Sequence, residues 1–127
     1  DMLDQVQYTL FPNFTFWPTL VGPLLYRFRP AGDTPDEAIM EVYMLHPVPE
    51  DGRPYQTAKG IDLARGELWS SVEELGGYGP ILDQDTPNMI RMTKGLKTTR
   101  KPGVTFANYQ ENRLRAFHRT LDEYMAR

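Results

Sequence analysis

Asn108-Tyr109-Gln110-Glu111-Asn112-Arg113-Leu114-Arg115-Ala116-Phe117-His118-Arg119-Thr120-Leu121-Asp122-Glu123-Tyr124-Met125-Ala126-Arg127 is the stretch that decides the fold. Leu114, Phe117, Leu121 and Tyr124 recur at spacings of three and four, which draws one apolar stripe along a helix. Asn108 is placed to cap that helix, and Glu111 three residues later comes close to a capping box. The spacing predicts a long C-terminal helix over 108–127. Such a stripe needs an apolar partner surface, and the first 46 residues offer one in the form of strands.

Gln5-Val6-Gln7-Tyr8-Thr9-Leu10-Phe11 alternates polar and apolar side chains, the period of a strand with one buried face. Pro12-Asn13 breaks it, and Phe14-Thr15-Phe16-Trp17 resumes a β-prone run before Pro18. Leu24-Leu25-Tyr26-Arg27-Phe28-Arg29 puts arginines and aromatics on opposite faces and ends at Pro30. Ala31-Gly32-Asp33-Thr34-Pro35-Asp36 is dense in turn formers. It leads into Ala38–Leu45, read as a third strand. Strands joined by short turns predict an antiparallel meander. Strands closed by a terminal helix give an α+β fold.

Between these parts the chain is less regular. Residues 46–59 are proline-rich and polar, a surface loop. Leu68–Leu75 is expected to hold a short helix capped by Ser70 or Ser71, with Glu73 and Glu74 in its first turn. Leu75-Gly76-Gly77-Tyr78-Gly79-Pro80 reads as a flexible approach to a further helix that opens after Asp85. Thr86 is its expected cap, Pro87 suits its first turn, and Met89, Met92 and Leu96 share a face. Arg91, Lys94 and Lys97 lie on the other side, and Lys101-Pro102-Gly103 stops the helix.

Composition narrows the function. With 127 residues and 40% hydrophobic content, the chain has material for one modest core, hence a single domain or a piece of one. A net charge of -3 argues against nucleic-acid binding. No run approaches the roughly 20 apolar residues of a membrane span, so no membrane partner is expected. Asp1-Met2-Leu3-Asp4 does not read as a signal peptide, and the absence of cysteine fits a reducing cytoplasm. The six methionines, including Met40, Met44, Met89 and Met92, read as adaptable core filler.

Asp83-Gln84-Asp85, followed by Thr86-Pro87-Asn88-Met89, carries the most chemistry. A carboxylate there is either a hard oxygen ligand for a metal or only a helix-capping acid. Its surroundings add to that. Tyr8-Thr9-Leu10-Phe11-Pro12-Asn13, Tyr26-Arg27-Phe28-Arg29-Pro30-Ala31-Gly32, Asp83-Gln84-Asp85 with Asn88, Lys94-Gly95-Leu96 and Tyr109-Gln110-Glu111-Asn112-Arg113 follow one another in order. In that order they resemble the C-terminal half of the catalytic α subunit of Rieske non-haem iron aromatic ring-hydroxylating oxygenases. The resemblance spans nearly the whole chain and implies a helix-grip (START-like) sheet wrapped on the C-terminal helix, as an incomplete domain.

The resemblance further implies a mononuclear Fe(II) held by two histidines and an aspartate, with a Rieske cluster in a separate N-terminal domain. Asp85, three residues before Asn88, falls on the aspartate ligand, with Asp83 the alternative. Two imidazoles and a carboxylate on one face of Fe(II) leave the opposite positions open for O2. Phe11, Asn13, Tyr78, Ile81 and Leu82 are candidates for a pocket around an apolar, aromatic substrate. Phe14, Phe16, Trp17 and Leu75 extend that set, although each reads equally as core, and Asn13 as a turn residue. The expected partners are that substrate, O2, and a ferredoxin or reductase that relays electrons from NAD(P)H. The intact enzyme is expected to be a homotrimer, or a trimer of α subunits with β subunits.

The chain departs from the family pattern in its histidines. His46, beside Pro47, reads as a turn or surface residue, and His118 as a group on the terminal helix. Neither belongs to the paired histidines of the family, and a Rieske cluster needs two cysteines that are not here. The chain is therefore expected to be the C-terminal portion of a catalytic domain, inactive alone. The basic residues Arg91, Lys94, Lys97, Arg100 and Lys101 are either a docking face for an acidic ferredoxin or, on the simpler reading, a solvated helix face. The rival from another class is a non-catalytic helix-grip module that binds a hydrophobic small molecule. A hydrolase using Asp83 and Asp85 is the poorest reading, because residues two apart cannot flank one bond.

Overall fold

The computed structural model of the chain describes residues 6–18, 22–54 and 57–127. It is an α+β fold: β1 (Tyr8–Leu10), β2 (Phe14–Trp17), β3 (Leu24–Pro30), β4 (Ala38–Met44), two 3-10 turns (Trp69–Ser71 and Glu73–Leu75), α1 (Tyr78–Thr98) and α2 (Asn112–Met125). The described residues divide into two compact units. One takes those of Asp1–Pro54 together with Phe106–Arg127, and the other those of Tyr55–Thr105.

The first unit is the predicted antiparallel meander, with strands in the order β1-β2-β3-β4. It has four strands where the alternation predicted three. Pro12-Asn13 does more than interrupt a strand: it is the turn of a hairpin that pairs Leu10 with Phe14 and Tyr8 with Phe16. Asn13 explains the reversal. Its side-chain amide donates to the Phe28 carbonyl at 2.8 Å, while its own carbonyl accepts the Phe28 N–H at 2.9 Å. The Phe11–Pro12 peptide is cis. The start of the first predicted strand, Gln5, lies outside the described residues.

Register then sorts the side chains. Thr15, Tyr26 and Val42 form one cross-strand row, and Phe14, Arg27 and Glu41 the next, on the opposite face. Aromatics and arginines of β3 therefore separate as the alternation predicts. Trp17 meets Tyr26 edge-on at 4.6 Å, and Leu24, the first residue of β3, is buried. The turn from β3 to β4 uses Gly32 at φ +72, a conformation that L side chains rarely adopt.

The C-terminal helix meets the sheet unit through Phe11. Its ring lies 5.4 Å from Phe117 and 5.0 Å from Tyr124, two members of the predicted stripe. Tilted aromatic pairs of this kind contribute about 1 kcal/mol each beyond area burial. Sheet and terminal helix thus form the helix-grip pairing. The helix starts later than expected, at Asn112. Asn108 does not cap it, because its carbonyl and side-chain oxygens both accept from the Arg115 guanidinium, the side-chain bond at 3.1 Å. Glu111 instead takes the N–H of Ala107.

The second unit is built on α1, which begins at Tyr78, eight residues before the expected Thr86 cap. Two prolines account for the error. Pro80 sits in the first helical turn, where its missing N–H is not needed, so Gly79-Pro80 is the true start signal. Pro87 lies inside the helix and gives up one backbone bond. The Thr86 hydroxyl turns back to the Leu82 carbonyl at 2.8 Å instead of capping forward. The expected short helix at 68–75 is a pair of 3-10 turns with no side-chain cap. Leu75 and Leu82 are the buried apolar side chains described in this unit.

Candidate functional site

Tyr78, Ile81, Leu82, Asp83 and Asp85 all lie in the first three turns of α1. Successive residues turn by roughly 100°, so Asp83 and Asp85 point about 200° apart and leave the helix on nearly opposite sides. Their surroundings differ accordingly.

Asp83 is half-buried and committed. One carboxylate oxygen accepts the Trp69 N–H at 2.6 Å and the other the Ser70 N–H at 3.2 Å. The Ser70 side chain, burial and those backbone donors act on its acidity. The hydrogen bonds win over the burial, and its pKa lies below the ordinary aspartate value. The same two residues press against the helix at Gly79, where an added Cβ would stand 2.7 Å from Ser70 Cα. Asp83 thus ties the first 3-10 turn to α1.

Asp85 is exposed and makes no hydrogen bond or ion pair among the described residues. Ile81, one helical turn before it, is 50% exposed and shares its side of the helix. Asn88 follows on that side, and its side-chain carbonyl accepts from Arg91 at 3.1 Å. The helix thus presents an open carboxylate next to an apolar side chain. Leu82, by contrast, is 2% exposed and serves as core of this unit, and Tyr78 is half-buried.

The other expected pocket residues, Leu75 excepted, belong to the sheet unit. Phe11 is spent on α2, and Asn13 on Phe28. Phe14, Phe16 and Trp17 are half-buried on β2, and Leu75 is buried in the second unit. His46 is exposed past the end of β4. His118 is exposed on α2, stacked on Phe106 at 5.3 Å and edge-on to Phe117 at 5.6 Å. The basic residues Arg91, Lys94, Lys97, Arg100 and Lys101 are all exposed, and Lys101 donates to the Thr105 hydroxyl.

One cluster escaped the sequence reading. Glu41 on β4 accepts Arg27 Nε on one oxygen and Arg29 Nε at 2.7 Å on the other, and takes the Tyr43 hydroxyl at 3.0 Å. Arg27 and Arg29 pull its pKa down to about 2, helped by Tyr43. Alternation places both arginines on one strand face, but only the register of β3 with β4 brings Glu41 opposite Arg27.

The family model for the ring hydroxylating alpha subunit (catalytic domain) matches residues 2–127. The chain belongs to that family. Comparison with curated proteins gave no match, and comparison with solved structures gave none. That family suggests a ring-hydroxylating oxygenase, an oxidoreductase with iron-dependent chemistry, an aromatic substrate, O2 and electron-transfer partners. The donor set tests the fit of iron to this chain. Among the described residues, no three histidine, aspartate or glutamate side chains come together to hold a metal ion. The described residues offer an open carboxylate, not a complete iron site. No helix among the described residues is long and apolar enough to cross a membrane.

Proposed function

We propose that this chain is the C-terminal portion of the catalytic domain of a Rieske-type oxygenase, and that Asp85 is the carboxylate arm of its iron site. The observation that carries the reading is the unengaged Asp85 on a helix of the matched family, two residues from an Asp83 whose oxygens are both occupied. A ligand held on a helix is fixed in direction, and one with no other partner has no bond to give up when it meets a cation. Asp83 would have to abandon two backbone N–H groups, which disfavours it.

In this reading the histidine arms come from outside the described residues of this chain, and the chain by itself turns over no substrate. The intact enzyme hydroxylates an apolar, aromatic substrate in the cytoplasm. A mononuclear Fe(II), held in part by Asp85, would supply the activation of O2, with electrons from NAD(P)H relayed through a ferredoxin or reductase and a Rieske cluster. Ile81 lines the substrate side of the carboxylate, with Tyr78 beside it. Subunits assemble as a trimer, with or without a β subunit.

Iron analysis of the full-length gene product, loaded anaerobically with Fe(II), tests this. Asp85→Ala is expected to remove the mononuclear iron, and Asp83→Asn to retain it. Iron retained at full occupancy in the Asp85→Ala protein refutes the assignment. No mononuclear iron in the unsubstituted protein refutes the oxygenase reading and leaves a helix-grip binding module.

A further inference from the structure

The Arg27–Glu41–Arg29 cluster belongs to the sheet unit and Asp85 to the other, and nothing in the oxygenase reading uses the cluster. Cross-strand ion pairs on a sheet are common, and one arginine for one glutamate would be an ordinary neutral pair. Here two arginines share a single glutamate. The sum of the three charges is +1, so the cluster is not neutralised by its own members.

The way the charges are spent matters more than their sum. A guanidinium carries five N–H donors, one on Nε and four on the two Nη atoms. Both arginines use Nε–H on Glu41, one on each carboxylate oxygen. No Nη hydrogen of either residue has a partner among the described residues. Glu41 is the best buried of the three, with a side chain 21% exposed against 35% for Arg27 and 46% for Arg29. It acts as a brace from below, and the fork ends of both arginines are left for something else. Tyr43 fixes the brace through its hydroxyl, and the Arg27 guanidinium carbon stands 5.9 Å from the ring centres of both Phe14 and Tyr43. Ile39, opposite Arg29, is 37% exposed on the same face.

We propose that Arg27 and Arg29, braced by Glu41, form a binding site for a small carboxylate with an apolar body. A planar oxyanion matches the paired N–H groups of a guanidinium, and arginine is the residue type suited to that geometry. Phe14, Tyr43 and Ile39 supply apolar surface for the rest of the ligand. Because Glu41 already orders both long side chains, binding avoids much of the rotamer loss that exposed arginines otherwise suffer. A carboxylate could also be supplied by an acidic side chain of another protein. The apolar neighbours favour the small molecule.

The test is an NMR titration of the isotope-labelled chain with hexanoate, hexanol, inorganic phosphate and a short glutamate-rich peptide. The arginine side-chain N–H signals serve as reporters. Hexanoate is expected to give saturable shifts confined to β3, β4 and Phe14 of β2, with hexanol at the same concentration giving none. Arg29→Gln and Arg29→Lys, both on an exposed side chain, are expected to weaken binding by about tenfold, the second because it keeps the charge and loses the fork. Shifts that do not saturate, equal shifts with hexanol, or unchanged affinity in both Arg29 variants would overturn the site. Tighter binding of phosphate than of hexanoate, or binding of the peptide alone, would overturn the small apolar carboxylate as its occupant.

Discussion

The two halves of α1 behave as different objects on one helix. From Tyr78 to Pro87 the helix is gripped: Leu82 is buried, Gly79 touches the backbone of Ser70, and Asp83 takes the N–H groups of Trp69 and Ser70. From Asn88 to Thr98 every residue is exposed, Met89, Ile90, Met92 and Leu96 included. Asp85 belongs to the gripped half but points away from the grip. A carboxylate in that position is aimed by contacts made on the other side of its helix, which is how a helix can hold a site residue firmly and leave it free to bind.

The sharpest way to break this contrast is to empty the grip. Leu82→Ala removes a 2% exposed side chain and is expected to destabilise the second unit by about 3 kcal/mol, read as a lowered denaturant midpoint. Gly79→Ala attacks the same contact from the backbone. Its Cβ would meet Ser70 Cα at 2.7 Å, and neither backbone can yield without moving the turn. We expect a loss of about 2 kcal/mol, although alanine is the better helix former. A neutral or stabilising Gly79→Ala would show that Ser70 does not pack there.

Asp83→Asn sharpens the comparison at the level of single bonds. The amide keeps one acceptor oxygen and places a donor against an N–H. Hydrogen exchange at the Trp69 and Ser70 amides is expected to speed up, with the amides of 88–98 unchanged. Equal acceleration along all of α1 would mean that the two halves are one cooperative unit.

Glu41 provides the matching test in the sheet unit. Its pKa is lowered from 4.5 to about 2 by Arg27 first and Arg29 second. A lowered carboxylate pKa means that the folded state prefers the ionised form. The stability it confers is therefore complete above the unfolded value near 4.5, and is lost as pH falls through the window down to about 2. Carbon-detected titration of the Glu41 carboxyl should show its midpoint well below the ordinary glutamate value of 4.5, and Arg27→Gln should move it upward. An ordinary midpoint would show that the arginines do not engage it in solution.

How much of this was legible in the sequence follows from the range of each interaction. Period and punctuation are local, so Ala38–Met44, Phe14–Trp17 and the apolar stripe of α2 were readable. Start signals are local but ambiguous. Thr86-Pro87 and Gly79-Pro80 both look like helix openings, and contact with Trp69 and Ser70 settled the choice in favour of the earlier one. Asn108 looked like a cap until Arg115, seven residues on, claimed its oxygens. The Arg27–Glu41 pair spans 14 residues and depends on strand register, which no single-strand pattern contains. For Asp83 and Asp85 the residue types were visible, but not which carboxylate was already taken.

The smallest expected effect closes the comparison. Met92 is 67% exposed and Leu96 54%, although both fall on the face that helical spacing marks as apolar. Their spacing had predicted a packed face, and burial decides stability where spacing only suggests it. Methionine, leucine and glutamine differ little in helix propensity, so Met92→Gln and Leu96→Gln isolate the burial term. In this chain each is expected to change stability by less than about 0.5 kcal/mol, against the several-fold larger loss from Leu82→Ala on the same helix. A loss above about 1 kcal/mol in either variant would show that the distal half is covered in solution and that the contrast between the two halves is not real.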